Sequence, residues 1–103
     1  FFLTSICFAV EFPYREKYPE VNIIELTDLK SGYDKGETVI IDLRAKSEFE
    51  AIHIKDAINL PYGHANFTDQ LQKVVDQNPG KKNVVYCNGI DCIRSYKAAD
   101  DAL

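Results

Sequence analysis

The segment Thr38-Val39-Ile40-Ile41-Asp42-Leu43 is an almost unbroken apolar run, opened after Gly36 and closed by Arg44. A run with no polar face to give to water fits a strand covered on both sides, the condition of a parallel strand between two layers of helix. Around it, short β-branched runs alternate with stretches of helical periodicity, the pattern of an α/β domain. The expected architecture is three-layered, a central and mostly parallel sheet flanked by helices, with its site at the carboxyl ends of the strands. At 103 residues, 46% of them hydrophobic and 27% charged, the chain is long enough for one such core and too short for two.

Strands are expected at Val21–Glu25, Thr38–Leu43, Ala57–Leu60 and Asn83–Cys87. A helix entered at Thr27-Asp28 and stopped by Ser31-Gly32 joins the first two. Ser47 followed three residues later by Glu50 is a capping box, which predicts a helix of about two turns starting there. Phe67, Leu71, Val74 and Val75 fall on one face of an amphipathic helix that Asn78-Pro79-Gly80 ends. A last helix runs from about Ile93 and is still running at Leu103.

Every charged residue lies from Glu11 onward; the first ten residues, FFLTSICFAV, carry none. Residues 1–9 are expected to be the remnant of an export signal peptide, with Cys7 and Ala9 as the small residues at −3 and −1 of a cleavage site. An N-terminal strand or a short membrane anchor is the alternative, although ten apolar residues are too few to span a bilayer. Residues 10–20 then form an N-terminal extension, 21–103 form the domain, and Cys7 lies outside the mature protein. The expected location is periplasmic or otherwise exported, without stable membrane insertion of the mature domain. Twelve Lys and Arg against sixteen Asp and Glu leave a formal net charge of −4, and no basic cluster exceeds Lys81-Lys82. Nucleic acid is not an expected partner.

Chemistry concentrates where the fourth strand ends in Cys87 and a short loop leads to a helix. Free N–H groups and the positive end of the helix dipole favour an anion at such a place, so a thiol held there is expected to be a reactive thiolate. Gly89 permits positive φ, Arg94 supplies a permanent positive charge, and Ser95 adds a hydroxyl donor at the helix start. Four residues separate Cys87 from Cys92, close enough for a reversible disulfide. Cys92 could then resolve a sulfur adduct on Cys87, or simply pack under the loop beside Ile93. Zinc is not expected, since neither a C-x₂-C pair nor H-x₃₋₅-H spacing is present.

Val39 to Pro61, VIIDLRAKSEFEAIHIKDAINLP, resembles the pattern of rhodanese-like sulfurtransferase domains. Asp42, Arg44, Glu48, Phe49, His53, Ile54, Ala57, Asn59 and Pro61 match it in order and spacing, and VVYC followed by Arg94-Ser95 is similar to the family's active-site region. The resemblance covers about residues 21 to 103. Ile52 and Asp56 stand where family members usually have glycine, so the turn between them is expected to differ. Six residues rather than four separate Cys87 from Arg94, which resembles an exported subgroup with a longer, two-cysteine active-site loop. The strand and glycine-rich turn that commonly follow the last helix are not found before Leu103, so the domain is expected to be truncated there.

The resemblance implies a sulfurtransferase. Cys87 is the catalytic nucleophile, carrying sulfane sulfur as a persulfide from a donor such as thiosulfate or polysulfide to a thiol or cyanide. Asn88, Gly89, Ile90, Asp91, Cys92, Ile93, Arg94 and Ser95 bind the anionic sulfur, and both readings of Cys92, resolving thiol or packing residue, stay open. No cofactor or metal is called for, and the partners are a small sulfur-containing substrate or a thiol acceptor protein. Rival functions are a thiol-disulfide redox module using Cys87 and Cys92, and a non-catalytic binding domain on the same fold. Asp42, Arg44, Glu48 and His53 are expected to be structural supports, with Arg44 paired to Glu48 and His53 a hydrogen-bonded packing residue rather than a general base. His64, beside Gly63, is expected to be exposed.

Overall fold

A computed structural model describes residues 14, 16–89 and 92–102. The export-signal stretch 1–9 with Cys7, most of the extension 10–20, Ile90, Asp91 and Leu103 lie outside the described residues. The element order is α1 (Leu26–Asp34), β1 (Thr38–Asp42), α2 (Lys46–Ala51), β2 (Ile58–Asn59), α3 (Phe67–Gln77), β3 (Lys82–Tyr86) and α4 (Arg94–Asp101). The three strands form a parallel sheet in the order β2-β1-β3, with Ile41 opposite Ile58 and Asp42 opposite both Asn59 and Tyr86. Helix and parallel sheet alternate as the punctuation predicts.

β1 is central because it can be covered on both faces. Val39, Ile41 and Leu43 pack with Leu60, with Phe67, Leu71 and Val74 of α3, and with Ala98 of α4. Ile40 and Asp42 point to the opposite face and are also buried. Val75, expected on the buried face of α3, is 36% exposed, because the stripe that meets β1 is narrower than its apolar spacing. No helix among the described residues is long and apolar enough to cross a membrane.

Several boundaries differ from expectation for local reasons. Val21–Glu25 joins no ladder. It lies across a groove of about 750 Å³ from β3 and so out of pairing reach. α1 passes through Ser31-Gly32 and ends at Asp34, because Gly32 lies so close to the Thr38 side chain of β1 that a methyl group there would collide with it. Gly36, at φ 72°, makes the turn instead. α2 begins at Lys46 behind Ala45, with no side-chain cap, so Ser47 lies inside the helix. The reason sits upstream: Asp42 Oδ1 accepts the Arg44 N–H at 2.8 Å and closes the turn early. β2 is shorter than Ala57–Leu60, and the last helix is capped at Ala102. Tyr14 and Tyr18, from the extension, place their rings 5.8 and 5.9 Å from the ring of buried Tyr96 on α4.

Candidate active site

Parallel pairing brings the carboxyl ends of all three strands to one edge, and each strand delivers a hydrogen-bonding side chain there. β1 ends in Asp42, which is fully buried. Its carboxylate accepts hydrogen bonds from Arg44 Nε at 3.1 Å, Arg44 Nη2 at 2.9 Å and the Tyr86 hydroxyl at 2.7 Å. Arg44 therefore pairs with Asp42 and not with Glu48, since Asp42 already fixes the turn that presents the guanidinium. Its remaining reach goes to the Ile52 carbonyl, at 2.5 Å from Nη2. Burial pushes the Asp42 carboxyl up, but the hydrogen bonds from Arg44 and Tyr86 and the charge of Arg44 outweigh it and hold it below the usual carboxylate range. Burial, followed by the bond to Asp42, raises the Tyr86 phenol above its ordinary value.

Asn59, at the end of β2, donates from Nδ2 to the carbonyls of Asp42 and Arg44 at 3.1 and 3.0 Å. The Tyr86 hydroxyl also accepts the Ile54 N–H at 3.3 Å. Tyr86, immediately before Cys87, is thus anchored to both neighbouring segments. Its part was missed in the sequence, because the register that sets it opposite Asp42 is a property of two strands more than forty residues apart.

Cys87 follows β3 directly and is bonded to Cys92 in a disulfide, with Cα atoms 6.3 Å apart, inside the usual range. Gly89, at φ 138°, turns the loop, and the Cys92 N–H donates to the Gly89 carbonyl at 3.1 Å. That amide is spent within the loop rather than offered to an anion. The Ser95 hydroxyl, at the start of the last helix, donates to the Cys92 carbonyl at 3.5 Å. Ile90 and Asp91 lie outside the described residues. Arg94 Nε donates to Cys92 Sγ at 3.3 Å. With its amide oxygen toward Arg94 Nη2 (2.7 Å) and its nitrogen toward Glu48 Oε2 (3.1 Å), Asn88 bridges Glu48 to Arg94. Glu48 so acts on the active loop and not on Arg44.

Cys87 opens onto a cavity of about 350 Å³ shared with Arg44, Ile52, His53, Ile54, Tyr86 and Asn88. It also lines the groove beside β3. His53 makes the expected hydrogen bond, Nδ1 donating to the Phe49 carbonyl at 2.6 Å, and stacks on Phe49 at 3.7 Å, but it does so exposed on the cavity wall and not in an interior. The apolar residues around it in sequence, Ile52 and Ile54, are themselves exposed, which removes the interior it was expected to share. His64 is exposed and lines neither cavity. Among the described residues no group of three or more His, Cys, Asp or Glu is placed to hold a metal ion. At the turn that feeds this wall, Asp56 takes φ 67°, the left-handed conformation that the family's usual glycine takes without strain, while Ile52 is extended.

The Rhodanese-like domain family matches residues 25–101. The chain belongs to this family. Among curated proteins it is 36% identical, over 81 residues, to a tRNA sulfurtransferase of Thermoplasma acidophilum, covering 78% of this chain and 15% of the relative. It is 34% identical over 79 residues to a tRNA uridine(34) hydroxylase of Erwinia tasmaniensis, covering 74% and 21%. A protein of the same description from Salmonella paratyphi B is 33% identical over the same length and shares. The rhodanese-like chain thus spans about a seventh to a fifth of the length of these relatives. No solved structure matches it significantly.

Proposed function

We propose that this rhodanese-like domain is a sulfurtransferase whose reduced form carries sulfane sulfur as a persulfide on Cys87. The observation that carries the reading is the position of Cys87, directly after β3 at the carboxyl edge of a parallel sheet, before α4, and open to a cavity. With thiosulfate, the Cys87 thiolate attacks the outer sulfur, a new S–S bond forms, and sulfite leaves with the electron pair of the old one. An acceptor thiolate then takes the outer sulfur and restores the Cys87 thiolate; polysulfide and cyanide are the alternative donor and acceptor. Cys87 does none of this while bonded to Cys92, so a reductant must first open the disulfide. The tRNA in the relatives' names is not carried over, because a net charge of −4 without a basic cluster offers no phosphate track. Export remains part of the proposal and rests on the uncharged stretch 1–9.

The test is intact mass of the reduced protein after thiosulfate or polysulfide. We expect a gain of about 32 Da, one sulfur atom, that is absent from Cys87→Ser. Loading that survives Cys87→Ser assigns the sulfur elsewhere and overturns the reading.

The disulfide itself favours a second reading, a redox module cycling between dithiol and disulfide. A protein that exchanges thiols with a dithiol reductant but takes up no sulfur from either donor would be that module.

A further inference from the structure

We infer that the disulfide form of the site accepts hydrosulfide at Cys87, expelling Cys92, and so makes the Cys87 persulfide directly from inorganic sulfide. The inference rests on Cys87 as the sulfur carrier and adds a second sulfur source and a leaving group. Three observations carry it: the Cys87–Cys92 bond, the placement of Cys87 on both cavities while Cys92 lines neither, and the Arg94 guanidinium at 3.3 Å from Cys92 Sγ.

Thiol-disulfide exchange requires a nucleophile in line with the S–S bond and a sulfur that can leave as a thiolate. Cys87 lines both cavities and Cys92 lines neither, so the incoming atom approaches Cys87 Sγ from the cavity side. Cys92 then leaves. The charge that develops on its sulfur falls against Arg94, whose side chain is held by Asn88 and, through it, by Glu48. The opposite polarity, attack on Cys92 with Cys87 leaving, finds no cation hydrogen-bonded to the leaving sulfur among the described residues.

The step balances without any further oxidant. Hydrosulfide and the disulfide give the Cys87 persulfide and the Cys92 thiolate. One S–S bond forms as one breaks; the hydrosulfide sulfur is oxidised to the sulfane level, and the Cys92 sulfur is reduced. The proton of hydrosulfide stays on the outer sulfur or passes to solvent. Run backwards, the same step is Cys92 resolving a persulfide with release of sulfide. Any thiolate can open the bond, but hydrosulfide alone leaves behind a transferable sulfur.

The experiment treats air-oxidised protein with sodium hydrosulfide, quenches with an alkylating reagent, and reads intact mass and fragments. Before alkylation the expected gain is about 34 Da, one H₂S, with the extra sulfur on Cys87 and a new thiol on Cys92. An unchanged disulfide, or an extra sulfur on Cys92, overturns the inference. Thiosulfate loading of the reduced protein is measured in parallel, because it does not pass through the disulfide. Loading from thiosulfate but not from hydrosulfide sinks this inference alone; loading from hydrosulfide but from neither thiosulfate nor polysulfide upholds it and removes the donor class proposed above.

Discussion

Asp42 is the one polar residue fully buried among the described residues, and its burial is tolerable only because four donors converge on it, the Arg44 N–H, Nε and Nη2 and the Tyr86 hydroxyl. Removing the carboxylate leaves Arg44, itself only 14% exposed at its side chain, with an uncompensated charge. We expect Asp42→Ala to destabilise the fold by about 3–5 kcal/mol, read as a lower urea midpoint with an unchanged slope. The same carboxyl makes the fold acid-sensitive. Its folded pKa lies below the unfolded value of about 3.9, so its contribution is complete above that pH and is lost as pH falls through the folded pKa. Tyr86 works at the other end, its raised phenol withdrawing stability as pH climbs past the ordinary value of about 10. Denaturation midpoints measured from neutral pH downward should show the acid limb shrink in Asp42→Asn. A limb of equal size in that variant would place the acid sensitivity elsewhere.

Among the elements, the turn between α2 and β2 shows what a sequence can and cannot disclose. The pattern from Asp42 to Asn59 was legible because Asp42, Arg44 and Asn59 hold one another at the carboxyl edge, and the place of Cys87 was legible because a strand, a glycine and a helix leave few places for a thiol. Asp56 stands where a glycine is usual, which predicts an altered turn, yet it adopts the left-handed φ that glycine would supply. Aspartate is one of the few residues that tolerate that region. Asp56→Gly should therefore change stability by less than about 1 kcal/mol, strain relief offsetting backbone entropy, while Asp56→Val costs about 2 kcal/mol or more. Thermal midpoints of the two variants against the parent protein check this, and an equal loss in both would mean that the carboxylate and not the φ angle matters. What stayed illegible depends on pairs of elements: the register that joins Tyr86 to Asp42, the close approach that carries α1 through Gly32, and the gap that keeps Val21–Glu25 out of the sheet.

On the scale of the whole molecule the question is what a domain of this charge can meet. The relatives named for tRNA are about five to seven times the length of the segment they share with this chain, and the family match, residues 25–101, covers the sheet and the loop from Cys87 to Cys92. Binding of any nucleic acid draws most of its free energy from counterions released when Lys and Arg neutralise phosphates, and its affinity falls with salt in proportion to their number. Here twelve basic residues face sixteen acidic ones. Several of the basic ones are already committed: Arg44 to Asp42, Lys30 to Asp34, and Arg94 to Cys92 and Asn88. Lys81 and Lys82 sit together before and at the start of β3, at the end of the strand opposite to Cys87, so even that pair would hold a phosphate away from the sulfur. We therefore expect no mobility shift of tRNA at protein concentrations up to about 10⁻⁴ M and physiological salt, the weak end of non-specific binding. A shift at lower concentration that fades with added salt would reveal a basic surface that the net charge conceals, and would restore a nucleic acid as the acceptor of the Cys87 sulfur.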